Sequence, residues 1–326
     1  MRGIAGRIPA IDGLRAVAVG LVFASHAYPK YFPGGFVGVD IFFVISGYVI
    51  TRSLIADGLD LRRFYLHRFL RIVPPILPVL AAVILSIALG STYTRPIDVL
   101  AAGASFMNIL RAADISHGGA LGHFWSLSVE EQFYLLWPAL FLLVGKRQAA
   151  IGAFMIALFA WQVGLYLMTG DADRVYNGLD TRGAQLLVGC LLAVWNPRGR
   201  SWWLVAPLAA LGPFILLVRF DSAFYLTFGM PLAALGAALT IAVLAGPQTV
   251  AHTILESRPL QWGGSRSYAL YLWHYPLLIW GFAASPDGWP ALVTVSLALT
   301  ATLLAAELSY RLIERPARDL RERFAR

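Results

Sequence analysis

Arg15 and His26 stand eleven residues apart in one apolar stretch, 11–28. On a helix at about 100° per residue, eleven steps return to nearly the same face, so the two side chains share a stripe about 16 Å long. A guanidinium and an imidazole in one lipid-length helix are costly against hydrocarbon. Such residues face a bundle interior or a wet cavity and are candidates for function. An imidazole supplies proton transfer, and a guanidinium supplies anion binding.

Further candidates surround this pair. A short connection, 29–34, leads to Gly35-Phe-Val-Gly-Val-Asp40. Gly35 and Gly38 permit close approach of a neighbouring helix. Asp40 falls about a turn and a half into the second helix, beside His26. Two readings fit this carboxylate: it orients the imidazole as a general base, or it is a polar pair joining two helices. Farther on, Arg68 and Arg71 are three apart, hence neighbours on one face at the mouth of the third helix. Paired guanidiniums grip phosphate or diphosphate oxygens, and they also serve as basic flanks or lipid-headgroup contacts. In Trp125-Ser-Leu-Ser128-Val-Glu130-Glu131, Ser128 and Glu131 match a capping box, which leaves Glu130 about 100° away, toward the bundle. This reading puts His123, Trp125 and Glu130 at the level of His26 and Asp40. Ser267, Tyr271 and His274 follow i, i+4, i+7, a polar stripe that suits either a reaction or structural hydrogen bonds.

The elements that must position these groups follow from composition. Of 326 residues, 58% are hydrophobic and only 13% charged, about half the charged share of a soluble domain. Spans are expected at 11–28, 35–55, 72–92, 127–144, 149–168, 181–196, 201–219, 223–246, 266–284 and 289–312. The run 99–110 is too short to cross and reads as an interfacial or re-entrant helix, and 62–71 reads as a loop. With the N-terminus in the cytoplasm, all but six of the 26 basic residues fall on the inner side; the six are Lys30, Arg95, Arg111, Arg174, Arg182 and Arg219. The expectation is an all-α integral membrane bundle of about ten helices, N-in and C-in, forming one domain over 1–326 with a short basic tail at 315–326. The first apolar segment is followed by Tyr-Pro-Lys-Tyr rather than a small-residue cleavage site, so it reads as retained. A single cysteine excludes an intrachain disulfide, and the six scattered histidines offer no metal-ligand spacing. The net charge of +8 fits loops facing anionic lipid; no long basic block points to nucleic acid.

Taken together, these motifs resemble the acyltransferase 3 family of integral membrane O-acyltransferases. The resemblance covers nearly the whole chain. It rests on Asp12-Gly-Leu-Arg15-Ala16, the Arg15–X10–His26 spacing, the glycine-rich 35–48 segment, Arg68-X-X-Arg71, Trp125-Ser-Leu-Ser-Val-Glu-Glu-Gln-Phe-Tyr134 and Ser267-Tyr-Ala-Leu-Tyr-Leu-Trp-His274. It implies a bacterial cytoplasmic-membrane enzyme, in a stand-alone form without the periplasmic hydrolase-like domain of larger members. The implied donor is cytoplasmic acyl-CoA, usually acetyl-CoA, with no metal. The implied acceptor is a hydroxyl of a carbohydrate or glycosylated molecule. His26 is then central to transfer, as general base or acyl carrier, while Arg15, Arg68 and Arg71 serve the donor. Asp40 or Glu130 would orient His26, and Trp125, Tyr271 or a backbone amide would stabilise the oxyanion. A transporter or flippase for a lipid-linked sugar or small anion, using the same His, Asp and Glu as a proton relay, is the competing reading. The longer outer segments, 93–122 and 169–181, are the expected seat of acceptor selectivity.

Overall fold

A computed structural model describes residues 8–286 and 289–323. Arg2, Arg7 and the last residues of the basic tail, all counted in assigning orientation, lie outside them. Among the described residues every regular element is a helix. In chain order these are α1 (Pro9–Ala27), α2 (Val37–Ala56), α3 (Leu61–Ala88), α4 (Pro96–Gly103), α5 (Met107–Ala112), α6 (Phe124–Val144), α7 (Gln148–Thr169), α8 (Ala172–Asn177), α9 (Leu179–Trp195), α10 (Val205–Leu217), α11 (Met230–Leu244), α12 (Val250–Leu255), α13 (Arg258–Ser265), α14 (Ser267–Ala284), α15 (Ala291–Ser309) and α16 (Arg315–Arg323). Two π-helical turns, Tyr225–Gly229 and Tyr310–Glu314, adjoin α11 and α15. Among the described residues seven helical stretches, two of them running through the π turns, are long and apolar enough to cross a membrane. The chain is a multi-pass, all-α membrane protein.

A helix stands at each of the ten expected spans, with three local differences. First, the segment read as a loop at 62–71 is helical. Asp60 accepts a hydrogen bond from the Arg63 amide at 3.0 Å and caps α3, which runs unbroken from Leu61 to Ala88. Hydropathy registers only the part of such a helix that needs lipid. Second, the run 99–110 is two short helices broken at Ser105, whose backbone is left-handed (φ 60°). Third, α6 begins at Phe124, so Ser128 sits inside the helix rather than at its cap. Its hydroxyl donates to the Phe124 carbonyl at 2.9 Å and accepts the Met107 amide at 3.2 Å. It thus caps α5 instead, satisfying an N-terminal amide that has no partner within α5 itself.

The chain divides into two compact units. The first comprises the residues up to Leu59 together with Val129–Ser265; the second comprises Asp60–Ser128 together with the residues from Arg266 on. In the first unit α2 packs on α1, α9 and α11, and their aliphatic faces form one core around Ile41, Val44, Ile45, Tyr48 and Ile241. Small residues set the spacing. A Cβ on Gly47 would lie 1.9 Å from the Leu186 carbonyl oxygen, and one on Gly189 would lie 2.1 Å from that of Val44. The backbones of α2 and α9 therefore touch at reciprocal glycines, the close approach expected where lipid gives no hydrophobic drive to association. In the second unit α14 packs on α15, and the Tyr268 hydroxyl donates to the Ile72 carbonyl at 3.0 Å, tying α14 to α3.

A methyl group at the α2–α9 contact has nowhere to go. Gly47→Ala is expected to cost at least about 1–3 kcal/mol in thermal unfolding of the detergent-solubilised protein. Gly164→Ala, at a helical position with open space around it, is expected to be neutral or to stabilise by up to about 1 kcal/mol. Equal melting of the two variants would refute the close-contact account.

Candidate active site

The candidate residues of the first unit are Arg15, His26, Asp40 and Glu130. Arg15 is held near the start of α1 by an ion pair to Asp12 at 3.1 Å. The backbone there is pinned on one side by α12 and α13. A Cβ on Gly264 would strike the Asp12 carbonyl oxygen at 1.9 Å, and Gln261 donates to the Pro9 carbonyl at 2.7 Å. His26 is half-buried in the last turn of α1.

The register of α1 against α2 fixes the depth of the carboxylates. Gly35 lies against Leu21 and Ser25, and Gly38 against Ala18 and Val22. The two helices are antiparallel, so each step forward along α2 is a step back along α1. Asp40 is then level with Ala18, about 12 Å along the axis from His26. Its hydrogen bonds agree. Oδ1 accepts from Arg182 Nη2 at 2.9 Å and from Gln185 Nε2 at 2.7 Å. The Tyr225 hydroxyl donates to Oδ2 at 2.9 Å and accepts from Arg182 Nη1 at 3.0 Å. The pairing of Asp40 with His26 expected from sequence is therefore replaced by a buried cluster joining α2, α9 and the first π turn. The loop 28–36 folds back on α1, and α2 starts deeper than α1 ends.

Glu130 is likewise deeper than expected. Its Oε1 accepts from the Ser46 hydroxyl at 2.8 Å and its Oε2 from the Tyr134 hydroxyl at 3.1 Å. By the same register Ser46 is level with Asp12, so the Glu130 carboxylate lies near the level of Arg15, not that of His26. Seven residues on, the Trp137 indole donates to the Thr51 hydroxyl at 2.9 Å, so α6 runs parallel to α2 at this depth.

Sequence reasoning missed Arg182, Gln185 and Tyr225. Arg182 had been counted as an outer flanking charge, yet it is fully buried, with its guanidinium 5.2 Å from the Phe43 ring and 5.0 Å from that of Tyr176. The signal was present: Arg182 and Gln185 are one turn apart inside an otherwise apolar run. Tyr225 had no such signal, because its aim comes from a π-helical turn, a feature frequent at functional sites.

In the second unit Ser267, Tyr271 and His274 are all buried, as is Trp125. The Tyr271 hydroxyl donates to the His123 carbonyl at 3.1 Å and lies 2.6 Å from the Ser126 hydroxyl. His123 Nε2 is 3.1 Å from the Leu272 carbonyl, and His274 Nδ1 is 2.6 Å from that of Tyr271. A carbonyl only accepts, so it fixes the protonated nitrogen of each ring. The rings stand 5.2 Å apart, edge to face. The stripe thus closes on the beginning of α6 and on His123. Arg68 lies 5.7 Å over the Phe64 ring and Arg71 is exposed, both on the α3 helix. The segments expected to select the acceptor are folded rather than loose. Asp98 accepts from the Arg95 amide at 2.8 Å and from the Ser116 hydroxyl, while Arg174 grips Asp180 through two nitrogens at 2.9 and 2.7 Å. Among the described residues no cluster of His, Cys, Asp and Glu has the makings of a metal site.

Comparison with known proteins decides the family. A family model described as an acyltransferase domain matches residues 8–310. The chain belongs to the acyltransferase 3 family. It is 36% identical to the peptidoglycan O-acetyltransferase OatA of Listeria monocytogenes, over 95% of this chain and 56% of that protein. It is 34% identical to the O-acetyltransferase OatA of Staphylococcus aureus strain NCTC 8325, over 95% of this chain and 57% of that one. The chain thus spans just over half the length of these relatives. No solved structure matches it.

The buried Asp40–Arg182 pair yields a stability test. Asp40→Ala leaves a guanidinium without its counter-ion and is expected to cost about 3–5 kcal/mol in thermal unfolding. The double variant Asp40→Leu/Arg182→Met, which removes both charges, is expected to recover most of that loss. Single variants that melt with the wild type would show that the cluster does not hold the unit together.

Proposed function

We propose that this protein is a membrane O-acyltransferase that moves an acyl group, most simply acetyl, from acyl-CoA to a carbohydrate hydroxyl of the bacterial envelope. The observation that carries this reading is the family match across 8–310, within which Arg15 and His26 keep their eleven-residue spacing on one helix. The relatives' names point to a peptidoglycan sugar as the acceptor.

In this mechanism His26 removes the proton from the acceptor hydroxyl, whose oxygen attacks the thioester carbonyl. The C–O bond forms, the C–S bond breaks, and CoA leaves as the thiol after taking up a proton. An acyl-His26 intermediate is the two-step version of the same transfer. Arg68 and Arg71 meet the donor's phosphates on the cytoplasmic side. Arg15, deeper than His26 by about 16 Å, lies on the path of the pantetheine arm. The level shared by Arg15, Asp12 and Glu130 supports a reworked role for Glu130: it sets the charge around Arg15 rather than orienting His26. Asp40 is left to structure. Tyr271, His274, Ser267 and Trp125 keep the α14–α6 contact of the second unit in shape, and Tyr271 remains a candidate donor to the oxyanion.

The test is transfer of labelled acetyl from acetyl-CoA to a muropeptide acceptor by the purified full chain in detergent. His26→Ala is expected to lower transfer by about 10²–10⁴-fold while leaving the melting temperature unchanged. Glu130→Gln is expected to act mainly on the KM for acetyl-CoA. Full transfer by His26→Ala, or glycan flux in liposomes with no dependence on CoA, would overturn the reading.

A further inference from the structure

The connection that follows His26 is short, rigid and aromatic. It reads Tyr28-Pro-Lys-Tyr31-Phe-Pro-Gly-Gly35. The Tyr28 carbonyl accepts the amides of Tyr31 and Phe32, each at 3.0 Å, in a turn with Pro29 at its second position. The Phe32 carbonyl accepts the Gly35 amide at 3.1 Å across a second turn led by Pro33. Proline at that position presets the backbone angle of a turn. The Gly34 amide donates to the Ile215 carbonyl at 2.8 Å, and a Cβ on Gly34 would lie 2.1 Å from the Phe214 carbonyl oxygen. Phe36 is buried and meets the rings of Phe214 and Tyr225 edge to face. The backbone of this connection is therefore held at both turns and at its far end.

Its side chains are not buried with it. Tyr31 is 64% exposed, and Lys30 beside it is exposed too. The Tyr31 ring rests edge-on against Tyr28, with 6.4 Å between centroids, so it is supported without being covered. A fixed backbone that presents an open ring next to a cation is a platform, because ordering it on a ligand costs little conformational entropy. Its place in the chain says what that ligand is. An acceptor oxygen that gives its proton to His26 comes to within about 3 Å of the imidazole. Tyr31 is five residues farther on, and the turn at 28–32 folds the chain back, which keeps the ring close to the helix end. The sugar that bears the attacking oxygen, or the one linked to it, is then within reach of this loop. Sugar rings have C–H faces that stack on aromatic rings, and acidic substituents of the sugar find a counter-ion in Lys30.

We propose that Tyr31 and Lys30 recognise the acceptor. The Tyr31 ring stacks on the C–H face of an amino sugar in the glycan, and Lys30 pairs with a carboxylate of its lactyl or peptide substituent. The two are specificity-determining residues and move no proton. The proposal rests on the acceptor reading above, in which His26 activates a carbohydrate hydroxyl. It places selectivity on this short connection, where the sequence pointed to 93–122 and 169–181. A tyrosine and a lysine at a bilayer interface also serve as lipid anchors, and the experiment separates the two roles.

The full chain in nanodiscs is titrated, without acetyl-CoA, with a soluble muropeptide and with an uncharged chitooligosaccharide; acetyl transfer is measured beside it. Tyr31→Ala is expected to weaken both glycans by about tenfold, and Tyr31→Phe to restore them. Lys30→Gln is expected to weaken the muropeptide several-fold, to flatten its salt dependence and to leave the uncharged glycan unchanged. The KM for acetyl-CoA is expected to stay the same in all three. If Tyr31→Ala and Lys30→Gln bind both glycans like the wild type, this site is refuted, while acetyl transfer by the wild type keeps the acceptor reading. If the variants bind weakly as expected but the wild type transfers no acetyl, the acyltransferase reading falls and the glycan site stands. If Tyr31→Ala lowers the melting temperature in nanodiscs with glycan binding intact, the ring is a lipid anchor and the proposal is overturned. A wild type that binds neither glycan overturns it outright.

Discussion

The first unit depends on one interaction, the ion pair of Asp40 and Arg182. Both side chains are fully buried. Taking two charges out of water costs several kcal/mol each, and the mutual attraction offsets this only when every remaining donor and acceptor is used well. Here Gln185 and Tyr225 supply the extra bonds, and Phe43 and Tyr176 cover the guanidinium with ring faces. Three elements distant in sequence must therefore arrive together: α2, the first turn of α9 and the π turn before α11. The glycine contact of α2 with α9 lies two turns deeper on the same pair of helices. The polar cluster gives that interface its register, and the glycines give it its closeness.

Much of the architecture was legible in the sequence because lipid allows few solutions. A backbone without water must satisfy itself within the helix, so apolar length alone marks the spans. The basic turns of α3 were not legible as helix, because their charges belong to water and hydropathy is silent about them. The break at Ser105 was not legible either, since nothing in Ala-Ser-Phe announces a left-handed residue. The site was legible in its residue types more than in its pairings. His26 and Asp40 looked adjacent because a short connection suggests that both helices end at one height. Gly35, packed against Leu21 and Ser25, shows instead that the connection turns back along α1, and this displaces every residue of α2 by about two turns.

That displacement changes the chemistry to be expected along α1. The carboxylates of Asp12 and Glu130 gather at the level of Arg15, while Asp40 is spent on Arg182. A deep cation with acids at its own level has its charge largely balanced. An unbalanced cation at that depth would hold an anion fast. His26 lies at the far end of α1 from these acids, in the last turn of the helix.

Burial then sorts the arginines by what they can do. Arg182 is enclosed and ion-paired to Asp40, so its charge is part of the fold; no ligand can reach it without undoing α2 and α9. Arg266 is mostly buried and is held by the Glu307 carboxylate and by the face of the Tyr310 ring, so its charge too belongs to the fold. Arg71 and Arg318 are exposed, and neither closes a direct ion pair among the described residues. Cations of this last kind stay solvated and contribute little to stability.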